Sequence, residues 1–399
     1  MMDRIPLRVG DHVPAAPVVL APMAGVTNAA YRAICRAFAP GLVYVNEMVM
    51  ATAVAHRNDK TLRMMAFGSD EQPRSLQIYG SDPAQVGMAV RMVCEEGRVD
   101  HVDLNFGCPA AKVTRKGGGA AVPARPALLR AIVAAAVEGA GPFGVPVTAK
   151  FRMGLTDDLR TDVRAGLICA EEGVAWVALH ARTVEQHYAG EARWEAITEL
   201  KSAIADAGHR IPVLGNGDIW EAADGVAMME QTGCDGVVVG RGCLGRPWLF
   251  RDLVDAVAGR EVAPPPLLGE VAHTIAAHGR ALVEHFEGDG IGRSGRRVSG
   301  ENFAMRDFRK HASWYLTGYP VGPEARRRFA MVGSLGELDD LLADLDPTAE
   351  VVPGGQRIRR GHTNGPIKVA LPEGFLAAEG ADDDLTIPDD DAVMAVSGG

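Results

Sequence analysis

The chain has 399 residues, of which 47% are hydrophobic and 23% are charged, and its formal net charge is −10. This composition is typical of a globular protein with enough apolar surface for a core, and it excludes a wholly disordered chain. The acidity argues at first against a nucleic-acid partner.

Targeting and redox features predict a cytoplasmic protein. The first ten residues lack the apolar core of a signal peptide, and no run of about 18 apolar residues is free of charges, so we expect no membrane span. The six cysteines are scattered and form no C-x-x-C pair. This pattern favours reduced thiols and argues against a zinc site, so we expect no metal.

Eight short apolar runs alternate with helical stretches over the first two thirds of the chain. Runs that are apolar almost throughout are typical of parallel strands buried on both faces. They cover residues 18–23, 42–48, 75–79, 101–106, 146–151, 175–180, 212–215 and 236–239. Helical patterns fill most of the gaps, for example over residues 126–138. Eight βα units predict an α/β protein with a (β/α)8 TIM barrel over residues 15–258.

The chain beyond the barrel changes in character three times. A proline-rich stretch over residues 261–268 predicts a stiff linker, and helical periodicity over 269–345 predicts a small all-helical domain. Residues 346–399 hold ten acidic and four basic residues and predict a largely disordered acidic tail, for which we infer no function. A basic block over 291–328 precedes the tail, and composition alone leaves it open as a solvated helix face or a binding surface.

Polar and small residues follow the predicted strands at their carboxyl ends, where the chemistry of such a barrel lies. Burying a lysine, a glutamine, a histidine and arginines near one rim costs several kcal/mol unless something pairs with them. The sequence therefore predicts a polar ligand at this rim. The residues concerned are Pro22, Met23, Ala24, Asn46, Glu47, Gln77, Asn105, Cys108, Lys150, Arg152, His180, Arg182, Asn216, Gly217, Asp218, Gly240 and Arg241.

The ends of the last two strands favour a phosphate site. Gly217 and Gly240 let the backbone approach a ligand, and Arg241 can add a charged contact; ordinary turns closing the barrel are the alternative. Lys150 could pair with a carboxylate such as Glu47, form a Schiff base or stabilise a negative cofactor, and the sequence leaves these open. Cys108 is either a small loop residue or a thiol that donates a proton at the barrel mouth.

Several segments together resemble the tRNA-dihydrouridine synthases, most closely the bacterial B-type branch. The resemblance spans about residues 14–340. It is carried by LAPMAGVTNAAYR (20–32), LQIYG (76–80), DLNFGCPAAKVTRKGGGA (103–120), KFRMG (150–154), LHARTVEQHYAGEARW (179–194), GNGDI (215–219), GRGCLGRPWLF (240–250) and ENFAMRDFRKHASWYLTGYP (301–320).

The resemblance implies an FMN-dependent barrel, followed by a helical tRNA-binding domain. NADPH or NADH would reduce FMN, the reduced flavin would pass hydride to C6 of a uridine in tRNA, and Cys108 would give a proton to C5. Implied cofactor contacts are Pro22, Met23 and Ala24 against the flavin, Gln77 and Lys150 at the polar edge of its ring, His180 nearby, and Asn216, Gly217, Asp218, Gly240 and Arg241 at the phosphate. Implied substrate contacts are Asn105, Arg152 and Arg182 for the base, and Arg306, Lys310 and His311 in the helical domain.

Two other functions stay open from the sequence. One is an FMN barrel that oxidises or reduces a small molecule, as dihydroorotate and dihydropyrimidine dehydrogenases do. The other is a non-catalytic tRNA-binding protein that keeps the barrel. Trp314, close to the basic helix residues, could equally stack on a base or belong to a helical core.

Overall fold

The computed structural model describes residues 4–57, 59–287 and 300–377. Nine parallel strands form one sheet in the order β2-β1-β9-β8-β7-β6-β5-β4-β3. They are β1 (Val18–Leu20), β2 (Val43–Tyr44), β3 (Val49–Met50), β4 (Ser75–Tyr79), β5 (His101–Phe106), β6 (Val147–Arg152), β7 (Val177–His180), β8 (Val213–Asn216) and β9 (Gly236–Val239).

The extra strand, β3, lies just beyond the second predicted run (42–48), within which only β2 is a strand. Between β2 and β3, the Asn46 side chain donates to the carbonyl of Met64 (2.7 Å), and the Glu47 carboxylate accepts from the Gly25 N–H (2.7 Å). Val45 nevertheless bridges Ser75 in parallel, which joins the β2 end of the strand order to β4 and closes the ring. The predicted α/β TIM barrel is confirmed, with one strand more than predicted.

Helices lie between the strands and beyond them. Around the barrel these are α1 (Ala29–Phe38), α2 (Ala51–His56), α3 (Asp59–Met64), α4 (Pro83–Glu95), α5 (Ala111–Thr114), α6 (Pro126–Ala140), α7 (Asp162–Glu171), α8 (Glu195–Asp206), α9 (Ala222–Thr232) and α10 (Leu249–Val257). The C-terminal helices are α11 (Leu268–His285), α12 (Gly300–Tyr315), α13 (Gly322–Phe329) and α14 (Leu335–Ala343). Side-chain caps fix several starts: Asn28 accepts from the Tyr31 N–H, and Asp82 accepts from the Gln85 N–H.

The strands are buried on both faces, as their apolar runs predict. Helix α6 with the turn after it (Pro126–Phe143) is long and apolar enough, by length and composition, to cross a membrane. Its residues Leu129, Ile132 and Val133 are nevertheless at most 1% exposed, because α6 packs between α4 and α7 on the barrel. The buried face of α6 therefore accounts for part of its apolar character, since 33% of the stretch is buried.

The C-terminal helices pack on the barrel through a second apolar cluster. Trp248 of the barrel is buried in this cluster beside Phe308 and Tyr315 of α12. Tyr31 on α1 lies 5.5 Å from the ring of His278 on α11. This packing brings α12 close to the loop that follows β1.

Residues 351–377, which we call the C-terminal strap, run from the C-terminal helices across the carboxyl rim of the barrel. The strap lies inside the segment that the composition suggested to be largely disordered, yet its backbone bonds to the barrel, as when the Ile367 N–H donates to the carbonyl of Glu185 (2.8 Å). The part of that prediction that concerns residues 378–399 lies outside the described residues, as does part of the basic block, residues 291–299.

Candidate active site

The strand register brings the predicted rim residues to one level. Lys150 on β6 is paired with Asn105 on β5, and Arg152 is paired with His180 on β7. His180 is in turn paired with Asn216 on β8. Because paired residues of parallel strands point to the same face, these side chains share the carboxyl end of the barrel interior. The expected convergence of polar residues at this rim is therefore observed.

A chain of side-chain amides fixes the loop that carries Cys108. The buried carboxylate of Asp103 accepts from Gln77 Nε2 (2.7 Å), and Gln77 Oε1 accepts from Asn105 Nδ2 (2.8 Å). Asn105 Oδ1 then accepts the N–H groups of Gly107 (3.0 Å) and Cys108 (2.9 Å). Asn105, predicted to orient the substrate base, thus holds the cysteine loop in this structure.

Cys108 differs from the other five cysteines, which are all buried. Its side chain is partly exposed at the rim, and burial by its neighbours raises the pKa of its thiol, against the lowering effect of Arg152 and Lys112. A raised pKa keeps the thiol protonated at neutral pH. Cys108 can therefore donate a proton at this rim, and the two cations would favour the thiolate that remains.

Four cationic side chains surround His180 at the rim. Burial, followed by repulsion from Arg152, lowers the pKa of Lys150 to about 8, and burial together with Arg182 lowers the pKa of Arg241 to about 10. Burial and the same charges hold the pKa of His180 well below its usual value, so this imidazole is neutral. Positive charge is thus concentrated at a desolvated site, where a bound anion would stabilise the cations.

Three of these cations are engaged with the protein itself: Arg241 donates to the carbonyl of His362 (2.7 Å) and lies 3.7 Å from Asp218. Arg152 donates to the carbonyls of Gly107 (3.0 Å), Thr183 (3.0 Å) and His187 (2.9 Å), and is 3% exposed. Arg182, which is 0% exposed, donates to both carboxylate oxygens of Asp218 (2.7 and 2.9 Å). Arg152 and Arg182 therefore hold loops together. Within the described residues, Nη1 of Arg182 has no hydrogen-bond partner.

The predicted phosphate residues follow β8 and β9 as expected, but they are not equivalent. Asn216 donates to the carbonyl of Val238 (2.7 Å), and Asp218 is turned towards Arg182 and the N–H of Ala192 (2.8 Å). Gly217 has a φ of +134°, and a Cβ on it would lie 2.6 Å from Cβ of Ala192. Packing against Ala192 therefore leaves no room for a side chain at Gly217, and the Asp218 carboxylate is already bonded to Arg182 and Ala192.

Around Gly240 and β1, small and half-buried residues face the rim. Gly240 lies against Ala21, to which an added Cβ would come within 3.7 Å. Pro22 and Met23 are half-buried and Ala24 is exposed. This combination leaves a surface without charge beside the cationic cluster, which fits the flat apolar part of a ligand.

The helical domain reaches this side of the rim through α12. A Cβ on Gly25 would lie 4.0 Å from Nζ of Lys310, which pairs with Asp307. Arg306 on the same helix is exposed. The carboxylate of Glu47, whose pKa is raised by burial, bonds to Gly25 and is also influenced by Lys310. The possible pairing of Glu47 with Lys150 is not found among the ion pairs of the described residues.

His311 departs from its predicted position on the basic surface. It is 0% exposed, and both ring nitrogens are buried without a hydrogen-bond partner in the described residues. Its ring lies 5.6 Å from that of Tyr31 and 5.1 Å from that of Trp314. The prediction that His311 contacts the substrate is therefore wrong, because its side chain is buried. Trp314 is half-buried and packs against the core.

Tyr188 is a rim residue to which the sequence assigned no role. Its ring lies 4.5 Å from the Arg241 guanidinium and 5.3 Å from that of Arg152. It is also 6.3 Å from the ring of His180. Its position in the segment 179–194 was the one sequence feature that could have indicated a role for Tyr188. No spacing rule predicts from that segment a contact with Arg241.

Comparison with known proteins gives a consistent result over most of the chain. Residues 19–349 match the family model described as "Dihydrouridine synthase (Dus)". A "Probable tRNA-dihydrouridine synthase" of Mycobacterium tuberculosis is 49% identical over 398 residues, which cover 98% of this chain and 97% of the relative. The Mycobacterium leprae protein of the same description is 47% identical over 400 residues, covering 93% and 97%. "tRNA-dihydrouridine synthase B" of Pseudomonas aeruginosa is 36% identical over 324 residues, covering 81% and 90%.

Proposed function

This chain belongs to the dihydrouridine synthase family, and from that premise we propose that it reduces uridines in tRNA to 5,6-dihydrouridine. FMN is the proposed prosthetic group, and NADPH or NADH is the proposed reductant. The observation that carries this proposal is a desolvated cluster of cations beside a protonated thiol, at the rim where an anionic flavin and a base would meet.

The residues at the rim fit FMN. Burial lowers the pKa values of Lys150 and Arg241, so a negatively charged ligand would stabilise both cations, and the phosphate of FMN would do so at Arg241. Arg241, Gly217 and Gly240 are the residues we propose for the phosphate, with Asn216 supporting them. Asp218 serves this site by orienting Arg182, since its carboxylate would repel a phosphate.

The proposed ring contacts come from two parts of the rim: Gln77 and Lys150 lie on β4 and β6, whereas Pro22, Met23 and Ala24 follow β1, the neighbour of β9. Gln77 and Lys150 are suited to the polar edge of the flavin, and Pro22, Met23 and Ala24 to its apolar part. Asp103 accepts from the Gln77 amide and thereby sets its orientation. When bound, FMN supplies the hydride for C6 of the uracil.

The protein's own part in the reaction is a proton for C5. Cys108 is held by Asn105, and burial keeps its thiol protonated. Neutral His180 lies close to the same place and can bond to the base without adding charge. Positioned general-acid help of this kind contributes about 10²–10⁴-fold to a rate. We propose Cys108 as the donor, with Arg152 keeping its loop in place.

The tRNA is proposed to lie over α12 and the barrel mouth. Arg306 is exposed on that helix, and Lys310 comes close to the loop after β1, so positive charge continues from the helix to the rim. A uridine in folded tRNA must leave its stack to reach the rim. This continuity supports a polynucleotide substrate over a small molecule, for which a basic helix beside the mouth has no use.

The test is dihydrouridine formation by the purified protein. It is incubated with NADPH and unmodified tRNA, or with free uridine, and the product is measured by nucleoside mass spectrometry. We expect visible flavin absorbance, product from tRNA only, and a loss of about 10²–10⁴-fold in Cys108→Ala. Cys94→Ala, a buried cysteine on α4, is the matched control and keeps the rate. A colourless protein, or equal product from free uridine, would refute the proposal.

A further inference from the structure

The C-terminal strap begins by docking on the junction between the helices and the barrel. The Val352 N–H donates to the carbonyl of Gly318 (2.8 Å). Arg360, which is 3% exposed, donates to the carbonyls of Trp314 (3.2 Å) and Thr317 (2.8 Å). A buried arginine that bonds to backbone carbonyls is a fixed anchor, because releasing it would leave those groups unpaired.

The middle of the strap then crosses the rim loops, to which its own backbone groups bond. The carbonyl of His362 accepts from Arg241 Nη1 (2.7 Å). The carbonyl of Asn364 accepts from the N–H of Tyr188 (3.2 Å), and the Ile367 N–H donates to the carbonyl of Glu185. The strap therefore touches the loops after β9 and β7, and with them a proposed phosphate residue.

The strap ends in an apolar contact beside the cysteine loop. Phe375 is 4% exposed in a cluster with Ala120, Leu155 and Val184. Its ring lies against Gly117, where a Cβ would come within 2.8 Å of the ring. Gly117 has a φ of +70°, so its backbone is both left-handed and covered by this ring.

Only one residue, Gly118, separates Gly117 from Gly119, which lies against Cys108. Gly119 has a φ of +57°, and a Cβ on it would lie 2.9 Å from the Cys108 carbonyl oxygen and 3.2 Å from its Cβ. The N–H of Ala120 donates to the same carbonyl (3.1 Å). The segment 117–120 is thus held between the Phe375 ring on one side and Cys108 on the other.

We propose that the C-terminal strap is a positioning element of the active site, with Phe375 as the residue that holds the segment 117–120 against Cys108. The inference rests on the proposed role of Cys108 in the reaction. It goes beyond the family match, which ends at residue 349. The B-type relative is matched over 90% of its own length but only 81% of this chain.

The physical expectation concerns placement of the thiol. Without the ring, the segment 117–120 loses its outer support, and Cys108 can move relative to the base. Misplacement of a reacting group by about 1 Å costs about 100-fold in rate. Substrate binding is unaffected, because neither Phe375 nor the segment belongs to the proposed tRNA surface.

The test compares Phe375→Ala, Phe375→Leu and the neighbouring control Leu376→Ala, which alters an exposed side chain, in the full-length holoenzyme. Iodoacetamide alkylation of Cys108 is followed by peptide mass spectrometry, and kcat and KM for tRNA are measured in parallel. The other five cysteines are buried, so the alkylation reports on Cys108.

For Phe375→Ala we expect alkylation to rise several-fold and kcat to fall about 10–100-fold with KM unchanged. In Phe375→Leu, the alkylation rate and kcat return most of the way to their wild-type values. Leu376→Ala matches the wild type in both measurements. If Phe375→Ala alkylates and turns over like Leu376→Ala, the inference is overturned. Should Phe375→Ala not fold, Leu371→Ala, which thins the same cluster, decides by the same two measurements.

The two proposals fail in different ways. Alkylation of Cys108 does not depend on what the enzyme reduces. Wild-type protein that forms no dihydrouridine, but whose Cys108 alkylation responds to Phe375→Ala, would overturn the proposed function and leave the strap as a positioning element. Dihydrouridine formation by the wild type, together with unchanged Cys108 alkylation in Phe375→Ala, would overturn the inference about the strap and leave the proposed function standing.

Discussion

Replacing Lys150 by methionine should stabilise the protein while weakening its cofactor binding. Lys150 lies inside the barrel, where burial and Arg152 disfavour its charge and only Asp103 favours it. Methionine keeps most of the volume of the side chain and removes the charge. The same substitution removes the proposed partner of the flavin ring, so stability and binding change in opposite directions.

The magnitude follows from the pKa of Lys150, which falls from its ordinary value of 10.5 to about 8. One pKa unit corresponds to about 1.4 kcal/mol, so the buried charge costs at most about 3–4 kcal/mol. Below pH 8 the folded and unfolded chains both bind the proton, and the whole cost applies. Between pH 8 and 10.5 only the unfolded chain binds it, so the cost decreases as the pH rises.

The assay is urea unfolding of the flavin-free protein. For Lys150→Met we expect a gain of about 1–3 kcal/mol at pH 7, reduced by about half near pH 9.5. FMN affinity should fall about 10–100-fold, the value of one charged hydrogen bond. Lys201→Met is the control of opposite sign: its ammonium pairs with buried Asp235 (2.6 Å), so its loss costs about 3 kcal/mol or more. A Lys150→Met variant that is less stable at pH 7, or whose gain is independent of pH, would refute the reasoning.

Three further outcomes are expected. Arg182→Ala leaves Asp218 only the longer contact with Arg241 (3.7 Å) and lowers the free energy of unfolding by about 3 kcal/mol; urea midpoints equal to wild type would contradict this. Gly217→Ala weakens FMN binding in a fluorescence titration, since its φ and the contact with Ala192 exclude a Cβ, and an unchanged affinity would argue against backbone approach there. Lys310→Ala weakens tRNA binding and lowers its salt slope by about one, whereas an altered flavin spectrum would point to a different role.

The barrel could be predicted because its signal is local and repeated. Each strand is a short apolar run, and parallel register then carries residues such as Lys150 and His180 to one rim wherever they stand in the chain. The interruption between β2 and β3 could not be predicted. It depends on Asn46 bonding to Met64 and Glu47 bonding to Gly25, contacts made by loops whose paths no spacing rule describes.

Side-chain roles at the rim were only partly predictable, for the same reason. The sequence placed Arg152 and Arg182 near a ligand, and they do lie at the rim. Their guanidinium groups nevertheless bond to carbonyls of the loop after β7, and no sequence pattern predicts the path of that loop. His311 is different, because it stands about 140° around the helix from Arg306 at 3.6 residues per turn. Its burial follows from that angle, so a stricter helical projection would have predicted it.

The strap is an ordered segment that the average composition of residues 346–399 does not predict. Averaged over residues 346–399, acids outnumber bases by ten to four, but residues 351–372 contain no acid and all four bases. At His362, Asn364 and Ile367 the strap contributes backbone atoms to its hydrogen bonds with the rim loops, and side-chain composition does not predict such bonds. Arg360 and Phe375 are the side chains that anchor its two ends, and a single arginine or phenylalanine in a polar tail carries no periodic signal. Order in this segment therefore depends on the barrel surface that receives it, and the same chain without that surface would have no reason to adopt this path.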